Sequence, residues 1–258
     1  MSENNLKIIP VKPMKNRYKD LYHPNLPKIP FALGLLGTYH SGKTTLLNNL
    51  FLSKHFWGGK KPAFEEVYFF SPSCLIDDNC RFIREHFQVF GEVKDSHLKE
   101  ILSNQEEYEK KDMPRICVVY DDIVGMIERN NLIKNFISRF RHYNASLVIS
   151  SQKFTALPTI MRTQLSSCCM FNGIFNEKEL ELIDEEWGDL YRGTLVPLYK
   201  KFANKKYSFL TLHLRRIPAE MYLNFEKKID WKKYVGKYRK RGKYDLLEGQ
   251  VDSDNDED

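Results

Sequence analysis

No stretch of this sequence approaches the roughly twenty consecutive apolar residues that a bilayer-spanning helix requires. The first twenty residues (MSENNLKIIPVKPMKNRYKD) lack both the apolar centre and the small-residue cleavage site of a secretory signal, so the expectation is a protein that stays inside a cell. Cysteine is scarce: there are five, an odd number, and none has Cys or His partners at zinc-binding spacing. Cys74 and Cys80 stand six apart, and Cys168 and Cys169 are adjacent inside the apolar run SSCCMF. This is the usage of free buried thiols in a reducing compartment. Internal repeats are also missing, which sets aside solenoids and propellers.

What is present fits one α/β domain of roughly 200 residues with a tail at each end. Hydrophobic residues are 42% of the 258, enough for a sizeable core. Pro10, Pro13, Pro24, Pro27 and Pro30 crowd the first thirty positions, where missing N–H donors and fixed φ angles favour an extended arm over residues 1–30. The net charge of +6 conceals an uneven end. Lys227, Lys228, Lys232, Lys233, Lys237, Arg239, Lys240, Arg241 and Lys243 alternate with Trp231, Tyr234 and Tyr238, and the final DSDNDED then carries five carboxylates. The basic part of 226–258 suits either phosphate neutralisation with base stacking or a solvated helix docked by its aromatics. The acidic tail repels itself, has nothing apolar to bury, and is expected to be disordered.

Between these ends, over residues 31–225, strand-like and helix-like patterns alternate. Phe31–Gly37, Glu66–Ser71, Arg115–Asp121, Ser146–Gln152 and Ser167–Asn172 are short, nearly continuous apolar runs, as in strands buried on both faces. Lys43–Lys54, Asn131–Arg141 and Glu177–Glu186 have helical spacing, the last with Asn176 placed as an N-cap. Residues 78–111 contain two more helical patterns. Lys206–Leu214 alternates, as a late antiparallel strand does. The fold class is therefore α/β, with a mostly parallel central sheet covered by helices on both faces.

Gly37-Thr38-Tyr39-His40-Ser41-Gly42-Lys43-Thr44 matches G-x-x-x-x-G-K-[ST] at every fixed position. Such a loop wraps phosphates in consecutive backbone N–H groups, with glycine where the chain is strained or closely approached. It then feeds a helix N-terminus, whose partial positive charge favours the anion. Gly37 to Thr45 are the nucleotide-binding residues, Lys43 reaches the β- and γ-phosphates, and Thr44 ligates Mg²⁺. Here the motif follows an apolar strand and opens an amphipathic helix, as the mechanism requires. The variable position His40 carries no catalytic role.

The strand RICVVYDD ends in two acids. Asp121 is the one expected to hold Mg²⁺ through its water shell, and Asp122 to orient or deprotonate the attacking water. Consecutive strand residues point to opposite faces, so the second role requires the chain to leave strand geometry at Asp122. Asp122-Ile123-Val124-Gly125 also fits the D-x-x-G of GTPases, but no N-K-x-D follows, which favours ATP. Gln152, at the end of the next strand, can donate to a γ-phosphate and report whether ATP or ADP is bound. Arg139, Arg141 and Arg162 are candidates for a positive charge supplied to a neighbouring subunit's transition state, with Arg141 the first choice.

Taken in order, GTYHSGKTT, VVYDD, RHYNASLVISSQ and LPTIMR resemble the viral genome-packaging ATPases of the FtsK–HerA superfamily, in particular the poxvirus-type packaging ATPases of large DNA viruses and virophages. The resemblance covers about residues 31–215, and 139–164 carries most of its specificity. It implies a P-loop core of the ASCE, RecA-like type, a ring oligomer, and ATP-driven translocation of double-stranded DNA into a preformed capsid. It further implies Lys43 and Thr44 at the phosphates and Mg²⁺, Asp121 and Asp122 as the acidic pair, and Gln152 as sensor. The chain departs from it in carrying Asp122 where much of the superfamily has Glu. The expected partners are double-stranded DNA, capsid or portal-vertex proteins and further copies of the chain, with no membrane. The readings set against this motor are a nucleotide-gated scaffold with slow hydrolysis and a small-molecule kinase, although no arginine-rich lid is evident.

Overall fold

The structure, a computed structural model, describes residues 23–127, 130–174 and 176–237. The first 22 residues of the expected arm, and the stretch from Tyr238 through the acidic tail, lie outside the described residues.

Nine strands form one sheet: β1 (Ala32–Leu36), β2 (Glu66–Phe70), β3 (Gln88–Phe90), β4 (Ile116–Asp121), β5 (Ala145–Ser151), β6 (Ser167–Phe171), β7 (Phe209–His213), β8 (Glu220–Leu223) and β9 (Lys227–Ile229). Their spatial order is β3-β2-β4-β5-β1-β6-β7-β8-β9. The first six in that order are parallel, and β7, β8 and β9 add antiparallel to the β6 edge. The central strands are apolar throughout because both faces are covered. On β4, Ile116, Val118 and Tyr120 face one core cluster while Cys117 and Val119 face the other. The first cluster takes in the helices Asp95–Glu106, Asn131–Arg139, Glu177–Trp187 and Leu195–Phe202. The second takes in α1 (Lys43–Leu52) through Leu46, Leu47, Leu50 and Phe51. At roughly 1.5–3 kcal/mol for each fully buried side chain, those four anchor the helix that carries the phosphate loop. All five cysteines are free and buried, as their sequence context indicates.

The structure revises both ends. Lys227–Ile229 forms the edge strand β9, and Trp231 is buried with its indole Nε1–H donating to Ala219 O (2.9 Å). Tyr234 packs edge-on against Phe202. The packed domain therefore runs past residue 225, and these two aromatics dock the start of the basic segment, which is a strand and a 3-10 turn and not the docked helix of one of its two readings. At the other end, Leu26 and Ile29 are buried, so the last residues of the arm are part of the core.

The arm is clasped by polar groups of β7 and its following turn. Arg216 Nη2 donates to Pro24 O (2.7 Å) and Leu26 O (3.0 Å). His213 Nε2–H donates to Asn25 O (2.8 Å), which leaves Nδ1 to accept from the Ser167 hydroxyl (2.9 Å). Burial, aided by nearby Arg216, pushes the His213 pKa down to about 4. An unfolded histidine titrates near 6.5. Between those values the unfolded chain binds a proton that the native one refuses, so stability falls as pH drops from about 6.5 towards 4 and is unaffected by this group above that window. Denaturant unfolding should show wild type losing about 2 kcal/mol more than His213→Gln between pH 7.5 and pH 5. Parallel losses in the two proteins would contradict the assignment.

Candidate nucleotide site

Residues 37–42 leave the carboxyl end of β1, and Gly42, at φ 105°, turns the chain into α1. That left-handed angle is open to glycine at little cost. Gly37 is required for a different reason. A Cβ there would come within 2.5 Å of Ser41 Oγ and 2.7 Å of Phe171 Cβ, closing the loop's interior. Lys43 is buried, and its ammonium donates to Gly37 O (2.6 Å) and Thr38 O (3.0 Å), which pins it within the loop. Burial lowers its pKa, and Asp122 and Asp121 oppose that shift. Ser41 Oγ is buried with no partner among the described residues. A closed ring of backbone, a captive ammonium and an orphaned hydroxyl fit a polyphosphate.

The acids approach from two strands away. β5 lies between β1 and β4, and β4 delivers Asp121 and Asp122 at its carboxyl end, beside the loop. Asp121 is buried, and Ser71, the residue following β2, donates its hydroxyl to Asp121 Oδ2 (2.9 Å). Burial raises the Asp121 pKa and Asp122 adds to that, while the Ser150 and Ser71 hydroxyls and Lys43 hold it down. Asp122 departs from the strand with φ 54° and is exposed. The chain thus leaves strand geometry at Asp122. Gln152 follows β5 directly and is exposed.

Lys43, Thr44, Asp121, Asp122 and Gln152 line one cleft of about 800 Å³. Arg141 does not reach it. It precedes β5, at the end of the sheet opposite the phosphate loop, with Nη1 on Gln164 Oε1 (3.1 Å) and its guanidinium over the Phe140 ring (4.4 Å). Arg162 pairs with Glu186 (3.4 Å). The structure also shows what motif reading missed. Ser71 is legible in hindsight as the polar residue closing EVYFFS beside the acidic strand. Asp77 and Asn79 line the cleft from the loop after β2, and Tyr207, Asn224 and Phe225 from the β7–β8 end, with no local signal for either set.

A phosphate loop on a parallel sheet, with one strand inserted between it and the acidic strand, defines a P-loop NTPase fold of the additional-strand class. A family model described as "Poxvirus A32 protein" matches residues 18–186, and the chain belongs to that family. Among curated relatives, the DNA packaging protein OPG160 of Variola virus is 24% identical over 169 residues, 62% of this chain and 60% of the relative. The chain thus spans less than two thirds of that relative's length. Among solved structures, B204, the DNA-packaging ATPase from Sulfolobus turreted icosahedral virus, superposes with a TM-score of 0.55 at 15% identity, over 76% of this chain and 97% of B204. The genome packaging NTPase B204 from Sulfolobus turreted icosahedral virus 2, in complex with AMPPCP, gives 0.53 at 17% identity, over 75% of this chain and 96% of that one. Both share the fold described here.

Proposed function

We propose that the chain is an ATP-hydrolysing motor that moves double-stranded DNA into a viral capsid. The observation that carries this reading is the meeting of Lys43 with Asp121 and Asp122 in one cleft, since two acids beside a phosphate loop equip it for hydrolysis and not merely for grip. Membership of the A32 family and the naming of its relatives as DNA packaging proteins support the choice of DNA.

In this mechanism the loop amides and Lys43 hold the β- and γ-phosphates. Asp122 takes a proton from, or orients, a water aligned with the bond between the γ-phosphorus and its bridging oxygen. That bond breaks as the water oxygen bonds to phosphorus, releasing ADP and phosphate. Thr44 and Asp121 are the residues that would hold Mg²⁺, which supplies neutralising charge to the phosphate oxygens. Gln152 reports the loss of the γ-phosphate. Arg141 lies too far from its own cleft to serve it, so its part is played at the cleft of a neighbouring subunit in a ring. Movement passes to residues 73–80, which flank the cleft and expose Leu75 and Ile76, whereas in residues 153–161 Phe154 and Leu157 are buried.

Phosphate release from ATP, measured with and without double-stranded DNA, tests the motor directly. A several-fold rise with DNA is expected. Turnover indifferent to DNA would turn the assignment towards a kinase or a scaffold.

A further inference from the structure

The phosphate grip leaves the far wall of the cleft without a role. Asp121, Asp122 and Gln152 come from β4 and β5, on one side of β1, so the terminal phosphate belongs on that side. The remainder of a nucleotide then leaves the loop on the other side, towards β6, β7 and β8. There the same cleft is walled by Phe171, Tyr207, Phe209, Asn224 and Phe225.

These residues fall into two kinds. Phe209 and Phe225 are buried and meet edge to face at 5.4 Å, and Phe171 lies 4.9 Å from Phe209, so together they make a fixed apolar floor. Tyr207 is 56% exposed, although its ring is large and apolar. It is held at φ 67°, in the left-handed region that a bulky residue rarely adopts. Its ring stands beside the start of α1, with Cδ1 3.3 Å from where a Cβ on Gly42 would be. The Lys206 ammonium lies 4.9 Å from the ring centroid. Asn224, also left-handed at φ 55°, accepts from Phe209 N through Oδ1 (3.2 Å). Its amide N–H₂ has no partner among the described residues and is free to donate.

An exposed aromatic face, a free amide donor and an apolar floor, one step from the phosphates, match a flat heteroaromatic ring with acceptors on its edge. We propose that Tyr207 is the stacking platform for the purine base of the bound nucleotide and that the Asn224 amide donates to the base edge. This rests on the nucleotide-cleft reading above and extends it to the part of the ligand the motifs do not touch.

The test compares ATP with inorganic tripolyphosphate, titrated calorimetrically into wild type, Tyr207→Ala and Tyr207→Phe. Tyr207 is mostly exposed, so its replacement leaves the core intact. Tyr207→Ala should weaken ATP about fivefold or more, the lower limit for losing a base–aromatic stack, and leave tripolyphosphate unchanged. Tyr207→Phe should bind ATP as wild type does. Equal weakening of both ligands by Tyr207→Ala, or undiminished ATP binding, overturns the proposal. So does a wild type that holds ATP no more tightly than tripolyphosphate. A wild type that binds neither ligand overturns the phosphate-loop reading itself, and this inference with it.

Discussion

Lys43→Ala should lower ATP turnover at least about a hundredfold, the scale of removing one preorganised charge donor from a phosphoryl-transfer site. Lys43 is the cation inside the loop, and its ammonium is held by Gly37 O and Thr38 O where incoming phosphate oxygens would compete for it. Without it, the loop amides alone must balance the charge of the β- and γ-phosphates, so binding and chemistry should both suffer. The lysine also sits under burial that disfavours its charge, offset by Asp121 and Asp122, so its loss removes the positive charge that acts on both carboxylates. The measurement is steady-state phosphate release, with a thermal melt to show that the variant remains folded. A folded Lys43→Ala protein with wild-type turnover would mean that hydrolysis takes place elsewhere.

The second large effect separates chemistry from binding. Asp122→Asn should lower kcat by about 10²–10⁴-fold, the range for removing a general base, with ATP affinity retained. Asparagine is the apt replacement because Asp122 sits at φ 54°, a region that Asn enters more readily than most residues. Backbone strain is therefore not the cause of any loss. Equilibrium ATP binding measured beside kcat decides the matter: a parallel fall in both would place Asp122 in ligand binding, and an unchanged kcat would pass the water to another group.

The parts of this site that sequence shows are those whose chemistry dictates residue type at fixed spacing. Gly37 through Thr44 and the Asp121–Asp122 pair are of this kind, and their strands β1 and β4 declare themselves through burial on both faces. The antiparallel character of β7 is also visible in its alternation. Edge elements are different. β3 is three residues long with Gln88 exposed, too short to carry a period. β9 (KKI) reads as charged tail, because an edge strand can keep two lysines in solvent. The helix Leu195–Phe202 hides behind Pro197, yet that residue lies in the first turn, where an N–H has no helical partner to lose. The wall formed by Tyr207, Asn224 and Phe225 is invisible in sequence for a deeper reason. Its members meet only because Leu210 pairs with Leu223, a register set by the packed sheet and not by neighbouring residues.

The five buried thiols give the chain a built-in clock. Cys117, Cys168 and Cys169 lie on central strands, so an alkylating reagent meets them only when the whole domain opens. Cys74 and Cys80 lie in the loop that carries Leu75 and Ile76, and Cys74 N–H is bonded to Ser71 Oγ, the same atom that donates to Asp121. Their alkylation rate therefore reads the loosening of that one loop against the slow background of the other three. Movement beside the cleft can be timed in the unlabelled natural protein, nucleotide by nucleotide, without attaching a dye.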